Sequence, residues 1–156
     1  PYINGERTPH MDPEATGAFL GMSLIHDQRH FIRAIMEGVA FGIKDSCEIL
    51  AEMGIGMERV IASGGGASSP VWVQILSDVI NREIRVTQVQ EQACLGICIL
   101  AGVSNGIFGS IEEACKTYVT WEDRIYTPSQ NRVELYAKAY EKFRLLYPAI
   151  KEIMHR

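Results

Sequence analysis

The sequence predicts an α/β fold in which helices pack on a small sheet. Three observations predict it: a β-α-β-α alternation through the middle of the 156 residues, a triple glycine at one strand-to-helix junction, and flanking stretches with apolar residues at helical spacing. Composition permits a single core, since 47% of residues are hydrophobic and 22% charged, mean hydropathy is +0.01, and no tract is polar enough to predict disorder. The longest nearly uncharged run, 92–110, is broken by Gly96, Gly102, Ser104, Asn105 and Gly106. It lacks the ~20 continuous apolar residues of a membrane span.

Residues 1–17 carry Pro1, Gly5, Pro9, Pro13 and Gly17, which predicts an irregular, turn-rich segment. Residues 18–24 are apolar and short enough for a strand. Asp27 is then placed to cap a helix whose apolar face is Phe31, Ile32, Ile35, Met36, Val39, Ala40, Ile43, Cys47 and Leu50, with Gly54 as its stop. A strand over 58–63 must break at Gly64-Gly65-Gly66, after which Ser68 or Ser69 offers an N-cap and Pro70 suits a first helical turn. Val71, Trp72, Ile75, Leu76, Val79 and Ile80 form the stripe of that helix. A second strand over 83–88 precedes a helix over 92–105 that ends at Gly106. Ser110 and Glu113 have capping-box spacing for a short helix reaching Tyr118, and 121–127 reads as a surface turn. From Pro128 onward Val133, Tyr136, Tyr140, Phe143, Tyr147 and Ile150 keep one helical face, which Pro148 should bend or interrupt.

Fifteen basic against nineteen acidic residues give a net charge of −4, which repels a polyphosphate backbone, so nucleic acid is not an expected partner. The four cysteines (Cys47, Cys94, Cys98 and Cys115) form neither a CxxC nor a Cys/His cluster. Reduced thiols in a cytoplasmic protein are the expectation. The chain starts at Pro1 without an initiator Met or a basic-then-apolar leader, which reads as a piece of something longer.

Three segments could carry chemistry. Around Gly64, Gly65 and Gly66, residues without Cβ allow a flat or charged ligand to approach where a helix begins, and nucleotide binding is the functional hypothesis. By spacing alone, a tight strand-to-helix turn that holds no ligand is the stronger reading. The loop Asn4-Gly5-Glu6-Arg7-Thr8-Pro9-His10-Met11-Asp12-Pro13 concentrates carboxylates, a guanidinium and an imidazole, yet reads first as a hydrated loop in which Glu6, Arg7 and Asp12 pair with one another or cap nearby backbone. A His10/Asp12 general-base pair would need a substrate in reach. The third segment, 90–102, reads as a helix whose Gly96 and Gly102 allow close packing and whose Cys94 and Cys98 are core thiols. Tyr136, Tyr140 and Tyr147 read as packing residues with hydroxyls at the rim, and His26, His30 and His155 have no metal-like spacing.

Taken together and in order, these segments resemble the C-terminal domain of the FGGY family of carbohydrate kinases, with the xylulose kinases as its most similar branch. Asn4 to Pro9 with Asp12, Pro13 and Gly17 resembles the family's GERxP…DPxARG segment, and Arg33 to Phe41 its RAxxEGxAF helix. Gly64 to Ser69 with Trp72, Gln74 and Asp78 resembles GGGAxSxxWxQxxAD, and Glu91 to Gly102 resembles ExxALGAAxLAG. Thr16 replaces the family's Arg, and Cys94, Ile97 and Cys98 stand where alanines are usual. The resemblance implies part of an actin-like (ribonuclease-H-like) ATPase fold, two α/β domains around a cleft, of which residues 1–156 would be a C-terminal nucleotide-binding fragment. It implies that Gly64, Gly65 and Gly66 back an adenine and its sugar, and that Ser69 meets the base.

The implied reaction is transfer of the γ-phosphoryl of MgATP to a sugar hydroxyl, xylulose by overall similarity, with gluconate, ribulose and fuculose open. The catalytic Asp, most sugar contacts, the phosphate loops and the magnesium ligands are expected outside this chain, which would be inactive alone and bind ATP weakly. The rival is a non-enzymatic actin-like module that binds a nucleotide or a partner. The oligomeric state is open, a homodimer included.

Overall fold

A computed structural model describes residues 1–89 and 91–155; Gln90, at the head of the third segment, and Arg156 lie outside the described residues. The elements run α1 (Gln28–Glu52), β1 (Val60–Ala62), one 3-10 turn (Gly65–Ser68), α2 (Pro70–Ile80), β2 (Ile84–Thr87), α3 (Gln92–Ser104), α4 (Ile111–Tyr118), β3 (Trp121–Tyr126) and α5 (Gln130–Met154). The sheet has the order β1-β2-β3. β1 pairs parallel to β2 with Val60 opposite Ile84, and β2 pairs antiparallel to β3 with Ile84 opposite Tyr126.

Caps explain the helix boundaries. Asp27 accepts from the backbone of Arg29 and His30, and the His30 ring returns a bond to the Asp27 backbone, so a histidine occupies the capping-box position usually held by Glu or Gln. Ser110 Oγ accepts from Glu113 N, but Glu113 reaches back to Gly109 N rather than to Ser110. α2 lies against α1, α5 and the sheet, and its Val73, Ile75, Leu76 and Val79 are buried. Phe41 of α1, Ile84 and Val86 of β2, Tyr126 of β3, and Tyr136 and Tyr140 of α5 complete the core. Lys44 of α1 donates to the Val79 carbonyl at 3.1 Å, a cation placed on the C-terminal end of α2. No helix among the described residues is long and apolar enough to cross a membrane.

Four expectations are corrected. Residues 18–24 form no strand and pair with none of β1, β2 and β3, and their Phe19, Leu20, Met22 and Leu24 stand exposed. The stretch 121–127 is not a turn but contains β3, whose charged residues face outward as an edge strand permits while Tyr126 alone is buried. α5 continues through Pro148 without interruption. Cys94 and Cys98 are exposed rather than core thiols, and a Cβ on Gly96 would meet nothing within 4 Å, so no neighbour packs closely there.

Candidate nucleotide-binding turn and its surroundings

β1 ends at Ala62 and the chain turns within a few residues. Gly64 has φ +79°, a left-handed conformation in which a side chain would be strained, so glycine is required by the backbone itself. The 3-10 turn closes through Ala67 N to Gly64 O at 3.0 Å and Ser69 N to Gly66 O at 3.2 Å. Ser69 is the N-cap of α2, its Oγ accepting from Trp72 N at 3.4 Å, and Pro70 occupies the first helical position. This use of the Ser69 lone pair leaves its hydroxyl proton to donate elsewhere.

The three glycines are not equivalent. A Cβ built on Gly64 or Gly65 would meet nothing within 4 Å, so both present bare backbone to open space. On Gly66 it would lie 2.0 Å from Cζ3 and 2.7 Å from Cε3 of Trp72, so this glycine is bare because an indole lies against it. The turn is therefore not sealed beneath side chains. A cavity of about 300 Å³ adjoins it, lined by Ser63, Ala67 and Trp72 together with the apolar Val60, Ile61 and Val73. The arrangement suits a flat, partly apolar ligand laid over backbone, next to a helix N-terminus that favours negative charge.

In the 4–13 loop the carboxylates cap nearby backbone as expected, Asp12 Oδ1 accepting from Glu14 N at 3.1 Å, but Asp12 is also drawn to partners elsewhere. Glu6 and Asp12 exchange backbone hydrogen bonds of 2.8 Å, Glu6 Oε2 accepts from His10 N at 2.7 Å, and the Asp12 carboxylate turns inward, 5% exposed. Asp12 Oδ2 accepts from Tyr147 OH at 2.6 Å and lies 2.7 Å from His155 Nε2, both on or beside the end of α5. His10 is stacked on Tyr147 with ring centroids 3.8 Å apart. Hence the Asp12 carboxylate, besides its local bond to Glu14, is paired with residues far along the chain and not with the side chains of Glu6 or Arg7, a match that no local signal in the sequence could reveal.

Of the two other expected rim hydroxyls, that of Tyr140 is interior, whereas that of Tyr136 lies at the rim between part-exposed Arg33 and Glu37. Tyr140 OH donates to buried Asp45 at 2.6 Å, and Tyr136 OH donates to Glu37 at 2.9 Å while Arg33 donates to the same hydroxyl. Burial, followed by the Asp45 acceptor, raises the Tyr140 pKa. The hydrogen bond from Tyr147, followed by that from His155, holds the Asp12 pKa down to about 2, and Tyr147 is correspondingly pushed up to about 12, first by Asp12 and then by burial.

Because the Asp12 pKa is depressed in the fold relative to an ordinary value of 3.8, its contribution to stability is present above that value and is lost as pH falls toward about 2. The stability difference between the wild type and Asp12→Asn, followed by urea unfolding across pH, should shrink as pH falls below about 4. A difference independent of pH down to about 2 would show that the Asp12 charge contributes nothing.

The comparisons with known proteins follow this geometry. The FGGY family of carbohydrate kinases, C-terminal domain, matches residues 1–105. A xylulose kinase of Lactococcus lactis is 36% identical over 157 residues, covering 100% of this chain and 31% of its own length. A gluconokinase of Bacillus subtilis is 38% identical over 113 residues, 72% of this chain and 22% of its own. The crystal structure of a ligand-bound xylulose kinase from Lactobacillus acidophilus superposes with TM-score 0.85 at 25% identity, covering 97% of this chain and 30% of that one. The chain thus spans under a third of the length of these relatives, and the small mixed sheet with its packed helices is part of their actin-like ATPase fold. It belongs to the FGGY family of carbohydrate kinases, whose C-terminal domain it matches.

Proposed function

We propose that residues 1–156 are the C-terminal nucleotide-binding part of a two-domain sugar kinase that transfers the γ-phosphoryl of ATP to a sugar hydroxyl, with xylulose as the acceptor. The observation that carries this reading is the open turn between β1 and α2, where Gly64 and Gly65 leave bare backbone beside a helix N-terminus and an apolar cavity. In this assignment Gly64, Gly65 and Gly66 back the adenine and its sugar, and the Ser69 hydroxyl donates to the base. The chain's own role is to bind and orient the nucleotide, which is where phosphoryl transfer obtains most of its acceleration.

Magnesium would neutralise phosphate charge during transfer. In this proposal its ligands are the ATP phosphates and side chains outside residues 1–156. Choice of xylulose rests on the relatives named above, with gluconate, ribulose and fuculose as competing acceptors. The test is ATP-dependent ADP release by the full-length encoded protein against these four sugars. Turnover with xylulose at the highest kcat/KM is expected; ADP release with none of them would favour a non-enzymatic actin-like binding module.

A further inference from the structure

Trp72 is half-buried in the first turn of α2 and reaches three neighbours and a cavity at once. Its six-membered ring lies directly on Gly66, its indole Nε1 donates over a long 3.4 Å to the Met36 carbonyl of α1, its backbone N–H donates to the Ser69 cap, and its ring lines the cavity beside the turn. The glycine turn thus rests on a side chain that is itself tied to α1. We infer that Trp72 is a positioning residue for the nucleotide turn: the indole sets how far the Gly66 backbone stands from the sheet, and so fixes the height of the surface that Gly64 and Gly65 present. This rests on the nucleotide reading proposed above. It gives Gly66 a role beyond the one it shares with its neighbours, as the point where the turn fits against Trp72.

The contact predicts a coupled pair. Gly66→Ala drives a methyl into the ring, and in the full-length protein it should raise the nucleotide KM about tenfold while leaving the sugar KM within about twofold. Trp72→Leu removes the support and should raise the nucleotide KM several-fold. The double variant should be no worse than Trp72→Leu alone, because the smaller side chain leaves room for the methyl. Trp72→Phe keeps a ring over Gly66 and should stay within about twofold of the parent, which keeps the test usable if Trp72→Leu folds poorly.

Effects of Gly66→Ala and Trp72→Leu that simply multiply in the double variant would overturn the proposal. So would a melting temperature that falls in the variants with the nucleotide KM unchanged, since plain core packing predicts that. Gly65→Val separates the levels: if it leaves the nucleotide KM unchanged the nucleotide reading itself falls, whereas if it raises that KM while Gly66 and Trp72 show no coupling, only the positioning role is lost.

Discussion

Asp78→Ala is expected to lower folding stability by about 3 kcal/mol, a large loss for a single polar side chain. Asp78 is 1% exposed and sits in the third turn of α2. Its Oδ1 accepts from Ser129 N at 2.8 Å and from Gln74 Nε2 at 3.1 Å, and its Oδ2 accepts from Arg132 Nε at 3.1 Å. Ser129 is the N-cap of α5 but makes no capping bond with its own side chain. Asp78 therefore supplies from α2 an anchor for the start of a helix fifty residues later. Alanine would leave the half-buried Ser129 amide short of an acceptor, whereas Gln74 Nε2 keeps its bond to the Thr127 carbonyl and half-exposed Arg132 can rehydrate, which keeps the cost below that of breaking a fully buried ion pair.

For a domain of this size that loss corresponds to a fall of roughly 6–12 °C in melting temperature. Asp78→Asn retains one carbonyl oxygen for Ser129 and should cost about 1 kcal/mol. Thermal unfolding of the two variants side by side gives the check, and near-equal stabilities of alanine variant and parent would remove Asp78 from its anchoring role.

Gly65→Val is expected to raise the nucleotide KM at least tenfold, about 1.4 kcal/mol or more of lost transition-state binding, while the sugar KM and the melting temperature change little. The argument depends on two features of this position. Gly65 does not have the positive φ that marks Gly64, so a β-branched residue is accommodated without backbone strain, and a Cβ there meets nothing within 4 Å. The isopropyl group consequently projects into the space assigned to the nucleotide and disturbs nothing else. Parallel increases in both KM values, or a large drop in stability, would contradict that placement. Steady-state kinetics with each substrate varied at saturating concentrations of the other distinguishes these cases.

What could be read from the amino-acid order follows from how local each signal is. α1 and α2 were legible because their apolar residues repeat at helical spacing and because Asp27, Ser69 and Pro70 mark their starts within a few residues. The turn at Gly64 was legible because three successive glycines make poor strand and poor helix. β3 was hidden by its composition: Glu122, Asp123 and Arg124 look like a solvated turn until β2 supplies a partner. α3 is apolar nearly all round, so no face could be chosen for Cys94 and Cys98, and the helix leaves both exposed. The acceptors of the tyrosine hydroxyls were illegible for a different reason. Asp12, Glu37 and Asp45 lie 135, 99 and 95 residues from Tyr147, Tyr136 and Tyr140, and only the packing of α5 brings them together. The same holds for Trp72 beneath Gly66, whose spacing resembles ordinary helix patterning.

Those three tyrosines, at 136, 140 and 147, point from one helix into three separate carboxylates. An apolar seam between helices tolerates slippage by a turn, since one aliphatic side chain substitutes for another, whereas a hydroxyl moved about 5.4 Å along the axis loses its acceptor and finds no replacement. α5 is thus indexed like a key, with two teeth cut against α1 and a third against the loop before it, so a displacement of α1 carries α5 and that loop with it as one rigid piece.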